Sequence, residues 1–520
     1  MRKKRLRYIR AVPTAGTALL SNDKMNITYR KAFSLWLCLL FVFASCGNKP
    51  KAVHQVNDLP GSKIGVQLGT TADTKVSGME HDKAGTQIER FTKTADAVQA
   101  LLQDKLSCVV EDEQPARAFV SQNEGLVLLP KAYSREDYAF CVAKGRHDLT
   151  ERINHALTLL RNDGTLEAIV SRHIKDKIGV AYQPKAIGRP NGRLIVATNA
   201  TFQPYEYYEN GRVVGIDIDI MQAVADVLGM TLQVEDMNFD AVVTSVQTGK
   251  ADVGAAALTV TPDRLRNVNF TLPYARSRQV IIVKSQKTTA RQQSLAQKFR
   301  QDFVVEGRYL YLLQGLGNTI IITLFAILIS LCLGSLIAIV RTTHDRTGRY
   351  TILNALCKLY LVIIRGTPTM VQLLIIYYVI FAAADVSKVL VAIVAFGLNS
   401  AAYMAEVVRG GIMSIDRGQS EAGRSLGLSY SQTMRLIILP QAFKNVLPAI
   451  GNELITLLKE TSISGYIGLV DLTKGSDIIR SITYDAILPL GVVAIIYLAI
   501  VLSLSSAVSA VEKKLRKNER

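Results

Sequence analysis

The chain has 520 residues and a net charge of +18; 49% of its residues are hydrophobic and 20% are charged. At about 150 residues per domain this length allows three or four domains, and the composition excludes a disordered chain. The basic residues are spread along the chain without a long run, which argues against a nucleic-acid partner. Six cysteines without a CxxC pair exclude a disulfide scaffold or a zinc module. We expect no cofactor or metal in this chain.

The first 46 residues are interpreted as a basic extension followed by an export signal. Residues 1–24 are basic, so Met25 as well as Met1 is a candidate start. The apolar run over 32–44 follows a charged stretch and is too short to span a bilayer, which is typical of a secretory signal. The sequence FASC over 43–46, where this run ends, resembles a bacterial lipobox. This predicts a lipid on Cys46; an uncleaved membrane anchor is the alternative. Either interpretation places the following residues outside the cytoplasm.

Five apolar stretches in the second half predict an all-α membrane domain over 308–515. The first is free of charge and long enough to cross a ~30 Å hydrocarbon core. The second contains Pro368, and the fourth contains Glu453. Lys and Arg are concentrated after the first, third and fifth stretches, which predicts a cytoplasmic C-terminus. The five predicted transmembrane helices are 318–340, 359–384, 389–405, 443–458 and 486–511.

The loop after the third predicted helix carries the most specific motif in the chain. It reads GQSEAGRSLGL over 418–428 and LPQA over 439–442. Helix-forming residues run up to Gly427, which predicts a short helix that ends there. The loop resembles the EAA coupling loop of bacterial ABC importer permeases. The sequences RGTP over 365–368 and KETS over 459–462 also match the polar amino acid branch (histidine, glutamine, arginine, opine).

This resemblance implies that segment 417–442 docks on a cytoplasmic ABC ATPase dimer. The chain lacks a GxxxxGK[ST] sequence, so ATP and Mg would be used by that separate chain. A second permease chain, as a homodimer, and the bacterial inner membrane are the other expected partners. The residues implied in the ATPase contact are Glu421, Ala422, Gly423, Gly427 and Pro440.

Two segments that precede the membrane domain predict an α/β receptor. Strands alternate with helices over 193–284, and ligands of such sheets bind beyond the strand ends. This segment resembles lobe one of a two-lobed, type II-like periplasmic amino acid-binding protein. Segment 58–183 resembles lobe two and the C-terminal tail of the same family.

The order of these segments is unusual for the family, in which lobe one comes first. We therefore interpret the receptor as circularly permuted; two incomplete receptors in tandem are the alternative. Proteins tolerate such a permutation because their chain termini often lie close together. One strand crossing between lobes, Tyr138–Val142, then stays continuous. The other is cut, and its parts Gln279–Lys284 and Lys63–Gln67 are expected side by side. A surface linker over 285–306 leads into the first membrane helix.

The resemblance also implies the residues that bind a zwitterionic amino acid. Arg264 matches the family's carboxylate clamp, and Asp112 matches the acid that holds the α-ammonium. Asn199 stands where many members have Asp, which favours a neutral ligand such as glutamine. Gln67 is either a partner for a side-chain amide or an ordinary strand-end residue. The implied cleft residues are Gln67, Thr71, Asp112, Asn199, Phe202, Phe239, Ala257, Thr259 and Arg264, of which the two threonines supply donors and the two phenylalanines form walls.

The leading hypothesis is therefore a non-enzymatic importer subunit that captures an amino acid outside and passes it through its own membrane helices. A ligand-sensing membrane receptor without transport is the alternative, but it would need a signalling domain after the last helix. A cell-wall lytic enzyme would need a catalytic constellation in a separate domain, which the sequence does not offer.

Overall fold

The structure is a computed structural model that describes residues 50–80, 82–176, 182–285, 294–382, 386–485 and 487–517. Lys51–Arg520 form one compact unit. The predicted signal and Cys46 lie outside the described residues. The strands are β1 (Lys63–Gln67), β2 (Gln87–Phe91), β3 (Cys108–Asp112), β4 (Leu126–Leu128), β5 (Ser134–Tyr138), β6 (Cys141–Ala143), β7 (Arg193–Thr198), β8 (Thr201–Phe202), β9 (Glu206–Glu209), β10 (Arg212–Val214), β11 (Thr231–Asp236), β12 (Val253–Gly254), β13 (Val268–Phe270) and β14 (Ala275–Lys284).

Two larger sheets define two lobes with the same strand arrangement. Lobe two contains the order β2-β1-β3-β14-β4, with β5 paired to β14, and lobe one contains the order β11-β7-β12-β6-β13. In each sheet three parallel strands are followed by one antiparallel strand from the other segment of the chain. The small sheet β10-β9-β8 follows β7.

Each segment therefore donates a strand to the other lobe. Strand β6, from the first segment, lies between β12 and β13 in lobe one. Strand β14, from the second segment, pairs with β3, β4 and β5 in lobe two. Because both lobes need both segments, neither segment can form its sheet alone.

The strand neighbours differ in one respect from the sequence expectation. Gln279–Lys284 and Lys63–Gln67 share a sheet, but they are not side by side, because β3 lies between them. Strand β3 reads CVVED and all five of its residues are buried, so it takes the central position that a strand covered on both faces requires. The crossing predicted as one strand over Tyr138–Val142 consists of two strands: β5 ends at Tyr138 in lobe two and β6 begins at Cys141 in lobe one.

Eight α-helices in the described residues cover these sheets. Helix α4 and helix α5 belong to the first segment but pack with α6 on lobe one, where they bury Leu149, Ile153 and Leu157 against Ile220 and Val224. Cys108 and Cys141 are buried and free, in the cores of the two lobes. The helices are α1 (Thr71–Ser77), α2 (Thr94–Leu102), α3 (Glu113–Gln122), α4 (His147–Asn162), α5 (Thr165–Ser171), α6 (Ile216–Leu228), α7 (Phe239–Gln247) and α8 (Pro262–Asn267).

The C-terminal region is mostly helical. The described end of the linker is helix α9, which starts with a capping box at Ser294. Short 3-10 or π turns connect several helices, including Arg300–Val304, Ile376–Ile380, Met434–Ile438 and Thr461–Ile467. The helices are α9 (Leu295–Phe299), α10 (Tyr309–Thr347), α11 (Thr351–Gly366), α12 (Thr369–Ile375), α13 (Lys388–Met413), α14 (Arg417–Ser425), α15 (Tyr430–Thr433), α16 (Leu439–Glu460), α17 (Leu472–Thr483) and α18 (Leu488–Lys517).

Three of these helices are long and apolar enough to cross a membrane, or up to four if a bent pair forms one span. The three are α10, α13 and α18. The second predicted span is not one straight helix, because α11 and the helical stretch from Thr369 to Ile380 meet at 109°. Pro368 cannot continue the helix of α11, and it restricts the residue before it to an extended conformation. Helix α16, which contains the fourth predicted span, is too polar to meet the same criterion.

Candidate functional site

A cleft between the two lobes brings together all nine residues that the sequence predicts for ligand binding. Gln67, Thr71 and Asp112 come from lobe two, and the other six come from lobe one. The cleft is also lined by residues that were not predicted, among them Glu111, Glu206 and Gln279. The cleft is almost closed, since the centre of a water molecule can reach only about 20 Å³ of it. An amino acid therefore needs the lobes to open before it can enter.

Arg264 is the cation in this cleft. It lies in α8, where the Thr261 hydroxyl accepts a hydrogen bond from the Arg264 backbone N–H at 3.2 Å. Its guanidinium donates to the carbonyl oxygens of Thr259 and Gly69, each at 3.0 Å, and so joins the two lobes. The guanidinium carbon lies 5.5 Å from the centre of the Phe239 ring. A planar fork held on an aromatic face is suited to a carboxylate, which would compete with the Gly69 carbonyl.

Asp112 faces Arg264 from the other lobe, at the end of β3. The Tyr138 hydroxyl donates to its Oδ2. Its Oδ1 is buried and has no hydrogen-bond partner among the described residues. Burial, with further contributions from Glu111 and Glu136, raises the pKa of Asp112 well above its usual value. A buried carboxylate oxygen without a donor is suited to a ligand ammonium.

Glu136 is an acid beside the cleft that the sequence analysis missed. Its Oε2 accepts from the hydroxyls of Thr71 at 2.6 Å and Thr259 at 2.5 Å, and its Oε1 lies 2.6 Å from Lys75 Nζ. The Thr259 hydroxyl therefore bonds across the lobes, whereas the Thr71 hydroxyl bonds within lobe two. Glu136 and Tyr138 point inward in β5, but the sequence SREDY of this strand has no alternation of apolar and polar residues that could have identified Glu136.

Asn199 and Gln67 form an amide pair between the lobes. The Gln67 side-chain N–H₂ donates to Asn199 Oδ1 at 3.5 Å. The Asn199 N–H₂ donates to the Met237 carbonyl at 2.8 Å, which fixes its orientation. Thr94 lies within 3.0 Å of Gln67 Oε1 and also contacts Glu111. Burial is the main cause that raises the pKa of Glu111 to about 7.

The other predicted residues form the walls. Phe202 packs near Tyr205 with ring centres 5.9 Å apart. Ala257 has a φ of 43°, and its N–H donates to Asp217 Oδ2 at 2.9 Å. Asp217 lies in the first turn of α6 and ties this helix to the cleft wall.

The second candidate site is the predicted ATPase-coupling segment. Helix α14 contains Glu421 and Ala422, which are exposed, and Gly423, which is buried. A Cβ at Gly423 would lie 2.7 Å from the Thr433 Cγ2, so the glycine permits close packing of α14 on the following turn. Gly427 has a φ of 81° just after the end of α14, as its predicted role as a helix terminator requires. Pro440 stands in the first turn of α16.

This segment also exposes apolar side chains. Leu426 and Leu436 are 79% and 63% exposed. Together with Glu421 they form a mixed apolar and charged surface on a short helix and its flanking turns. Such a surface has the composition of a protein contact.

Comparisons with known proteins show which families the chain resembles. Residues 194–483, more than half of the chain, match the family of bacterial extracellular solute-binding proteins, family 3. The arginine transport system permease protein ArtQ of Bacillus subtilis (strain 168) is 38% identical over 211 residues, which are 40% of this chain and 94% of that protein. A protein named as a glutamine transport system permease, GlnP, of Rickettsia typhi (strain ATCC VR-144 / Wilmington) is 34% identical over 210 residues, with the same coverage.

A solved structure, the crystal structure of an amino acid ABC transporter with histidines, is 37% identical. It aligns over 41% of this chain and 98% of its own, with a TM-score of 0.38. Solute-binding proteins and permeases are transport components rather than enzymes. The chain belongs to the bacterial extracellular solute-binding proteins of family 3 and, through its C-terminal part, to the permeases of amino acid ABC transporters.

Proposed function

We propose that this chain binds a polar amino acid in the cleft between its lobes and passes it through its own membrane helices. The observation that carries this proposal is that Arg264 and the buried Oδ1 of Asp112, which has no hydrogen-bond partner among the described residues, lie in the same cleft on opposite lobes. The ligand carboxylate would lie on Arg264 and its ammonium on Asp112. Two opposite charges on two lobes close around a zwitterion and leave no buried charge without a partner.

Glutamine is the side chain that we favour. The amide pair of Gln67 and Asn199 lies in the same cleft and would exchange its mutual contact for contacts with a ligand amide. One of the permease relatives is named for glutamine and another for arginine. Calorimetry of the full-length chain in nanodiscs against the twenty amino acids tests the choice. Binding of glutamine supports it, whereas binding of a cationic amino acid alone would contradict it.

The affinity is expected to fall as the pH falls. An ammonium on Asp112 favours the carboxylate, so the pKa of this group, raised in the empty cleft, drops in the complex. The affinity is therefore highest above the raised pKa of the empty cleft and falls as the pH drops below it. Calorimetry in buffers of different ionisation enthalpy should find proton release on binding below that pKa. Asp112→Asn should weaken this dependence, and Glu111, which also lines the cleft with a pKa raised to about 7, accounts for what is left; an affinity that rises in acid would contradict the assignment.

We propose a circularly permuted receptor on the strength of the exchanged strands β6 and β14. The two segments share both sheets and one cleft, which tandem fragments would not do. The family match begins at the second residue of β7 and includes the lobe one segment. The expected boundaries are a lobe two segment with its tail over 58–183, a lobe one segment over 193–284 and a linker over 285–306.

We further propose five transmembrane helices, with α16 as the fourth. It has 22 residues, and its polar Glu453 accepts a hydrogen bond from Ser400 of α13 at 2.9 Å. A polar residue that faces the helix bundle is compatible with a span. In this arrangement the receptor lies outside the cytoplasm, the C-terminus lies inside, and two copies of the chain form the permease in the bacterial inner membrane. A lipid on Cys46 would add a second anchor.

The segment over 417–442 is proposed to dock on a separate ATPase dimer, which would use the ATP and Mg. Glu421→Lys should abolish uptake but leave amino acid binding unchanged, because Glu421 lies on an exposed surface far along the chain from the cleft residues. Glu151→Lys, the same charge change at an exposed position of α4 in the receptor, is the matched control. Uptake into proteoliposomes containing the chain and its ATPase measures this effect. Equal uptake by Glu421→Lys would contradict the coupling role.

A further inference from the structure

A chain of hydrogen bonds runs from lobe two to lobe one along one wall of the cleft. It starts at Glu111, passes through Thr94 and Gln67, and ends at Asn199. Gln67 and Glu111 lie near the carboxyl ends of the neighbouring parallel strands β1 and β3, and Thr94 is the first residue of α2. Because neighbouring parallel strands end at the same edge of a sheet, these side chains meet there. Gln67, Glu111 and Asn199 line the cleft.

The hydroxyl of Thr94 has two acceptors but only one proton. It lies 3.0 Å from Gln67 Oε1 and also contacts Glu111 Oε2. A hydroxyl donates one hydrogen bond, and an ionised carboxylate can only accept. When Glu111 is ionised, its carboxylate therefore takes the proton of Thr94. When Glu111 carries a proton, it donates to Thr94, and the Thr94 hydroxyl is then free to donate to Gln67.

The proton of Glu111 has a defined place on this carboxyl group. Glu111 Oε1 accepts from the backbone N–H of Asp112 at 2.8 Å, so Oε2 is the oxygen that remains for a proton. This is the oxygen that contacts Thr94. Burial is the main cause that raises the pKa of Glu111 to about 7, so both of its forms exist near neutral pH.

The titratable groups that face this carboxyl group come from three elements. Asp112 follows it on β3, Glu136 lies on β5, and Tyr484 follows α17. The negative charge of Glu136 opposes ionisation, as burial does. Two charged residues of α2 lie beside the threonine, but Lys93 and Asp96 pair with residues of α17.

The protonation state of Glu111 therefore decides which end of the Gln67 amide points into the cleft. When the Thr94 hydroxyl donates to Gln67 Oε1, the N–H₂ of Gln67 turns towards the cleft, as observed. When the hydroxyl is directed at an ionised Glu111, two oxygens without a proton between them would face each other at 3.0 Å. The amide then rotates so that its N–H₂ donates to Thr94 and its Oε1 points into the cleft.

Asn199 on the opposite lobe is held in one orientation. Its N–H₂ donates to the Met237 carbonyl at 2.8 Å, and its Oδ1 accepts from the Thr201 hydroxyl at 2.9 Å. With a neutral Glu111 the two amides offer the cleft one donor and one acceptor, which match a ligand amide. With an ionised Glu111 they offer two acceptors, which match a guanidinium or an ammonium group.

We propose that Glu111 sets the side-chain specificity of the cleft through Thr94 and Gln67. The neutral form selects an amide side chain, and the ionised form selects a cationic one. The inference rests on the proposed function, because it assumes that an amino acid binds with its side chain at Gln67 and Asn199. Thr94 is a positioning residue, because it acts on the ligand through Gln67.

The ratio of two dissociation constants tests the proposal. Calorimetry measures the binding of L-glutamine and L-arginine to the full-length chain in nanodiscs at about pH 5.5 and about pH 8.5, below and above the pKa of Glu111. Both ligands carry the same α-carboxylate and α-ammonium, so the effects of Asp112 and of the Glu111 charge on the ammonium cancel in the ratio. The preference for arginine over glutamine should rise about tenfold or more at the higher pH, because the wrong amide orientation leaves buried polar groups unpaired.

Variants of the hydrogen-bond chain assign this shift to its members. Glu111→Gln keeps the neutral form, because its amide can accept from Asp112 and donate to Thr94; it should favour glutamine at both pH values. Thr94→Val should make the ratio independent of pH, whereas Thr94→Ser keeps the hydroxyl and should keep the shift. Glu89→Gln is the matched control, because Glu89 is an exposed acid of the same lobe that pairs with Lys63, and it should also keep the shift.

A wild-type ratio that stays constant between the two pH values would overturn the proposal. A shift that persists in Glu111→Gln or in Thr94→Val would overturn it as well, and so would binding of only one of the two amino acids at both pH values. These results leave amino acid binding itself in place. If the wild type binds neither amino acid, the proposed function fails, and the inference fails with it.

Discussion

Arg264→Ala is expected to weaken amino acid binding to the full-length chain by about 2–5 kcal/mol. The variant removes the cation of the cleft and leaves the ligand carboxylate desolvated without a partner. Asp112→Ala should cost a similar amount, because it removes the proposed partner of the ligand ammonium. Both effects are measured as dissociation constants by calorimetry in nanodiscs.

Arg266→Ala is a matched control for the first of these variants. Arg266 lies two residues from Arg264 in the same helix, and its side chain is 79% exposed beside Asp263. Its removal should change the dissociation constant very little, because exposed ion pairs contribute about 0–1 kcal/mol. A dissociation constant that is unchanged in Arg264→Ala would mean that the ligand binds elsewhere.

Ile281→Ala is expected to destabilise lobe two by about 2–5 kcal/mol, although Ile281 belongs to the segment predicted as lobe one. Ile281 is fully buried in β14, where it pairs in register with Val110 of β3 and packs in the core with Ile64. The cavity left by truncation would therefore lie in lobe two. Native-state hydrogen exchange of residues 63–67 and 108–112 measures the loss of opening free energy.

The control for this variant is Val227→Ala, at a position that is 38% exposed in α6 of lobe one. Its effect should stay within about 0.5 kcal/mol. Reduced protection that is confined to 193–284, with unchanged protection at 63–67 and 108–112, would contradict the exchange of strands between the segments.

Local signals in the sequence were sufficient for several helix ends, and the resemblance to a family was sufficient for two of the charged residues of the cleft. Gly427 predicted the end of α14, because only a residue that tolerates a positive φ fits there. Arg264 and Asp112 were identified through the resemblance of their motifs to a family, and the structure places both in one cleft. Whether they bind the ligand is the subject of the first prediction.

Pairing over long distances in the chain was harder to predict. The position of β3 between β1 and β14 depends on which strand is covered on both faces, and this follows from packing rather than from local sequence. Glu136 was missed because its partners, Thr71 and Thr259, come from distant positions. The bend at Pro368 was foreseen only as an interruption, since a proline fixes its own φ but not the angle between the helices.

Helix α17 gave no signal as a receptor contact in the sequence. Its charges at Lys474, Asp477 and Arg480 look like those of any exposed amphipathic helix. Their partners, Asp236, Lys93 and Asp96, are hundreds of residues away in the chain. Only the folded chain brings these opposite charges together.

The central claim is that one chain both captures the amino acid and transports it. Uptake of radiolabelled glutamine, and of arginine in parallel, into proteoliposomes that contain only this chain and its ATPase partner tests the claim most directly. The account predicts ATP-dependent uptake by the wild type without any added binding protein, and loss of that uptake in Arg264→Ala. Uptake that requires a separate soluble binding protein, or that persists in Arg264→Ala, would contradict it.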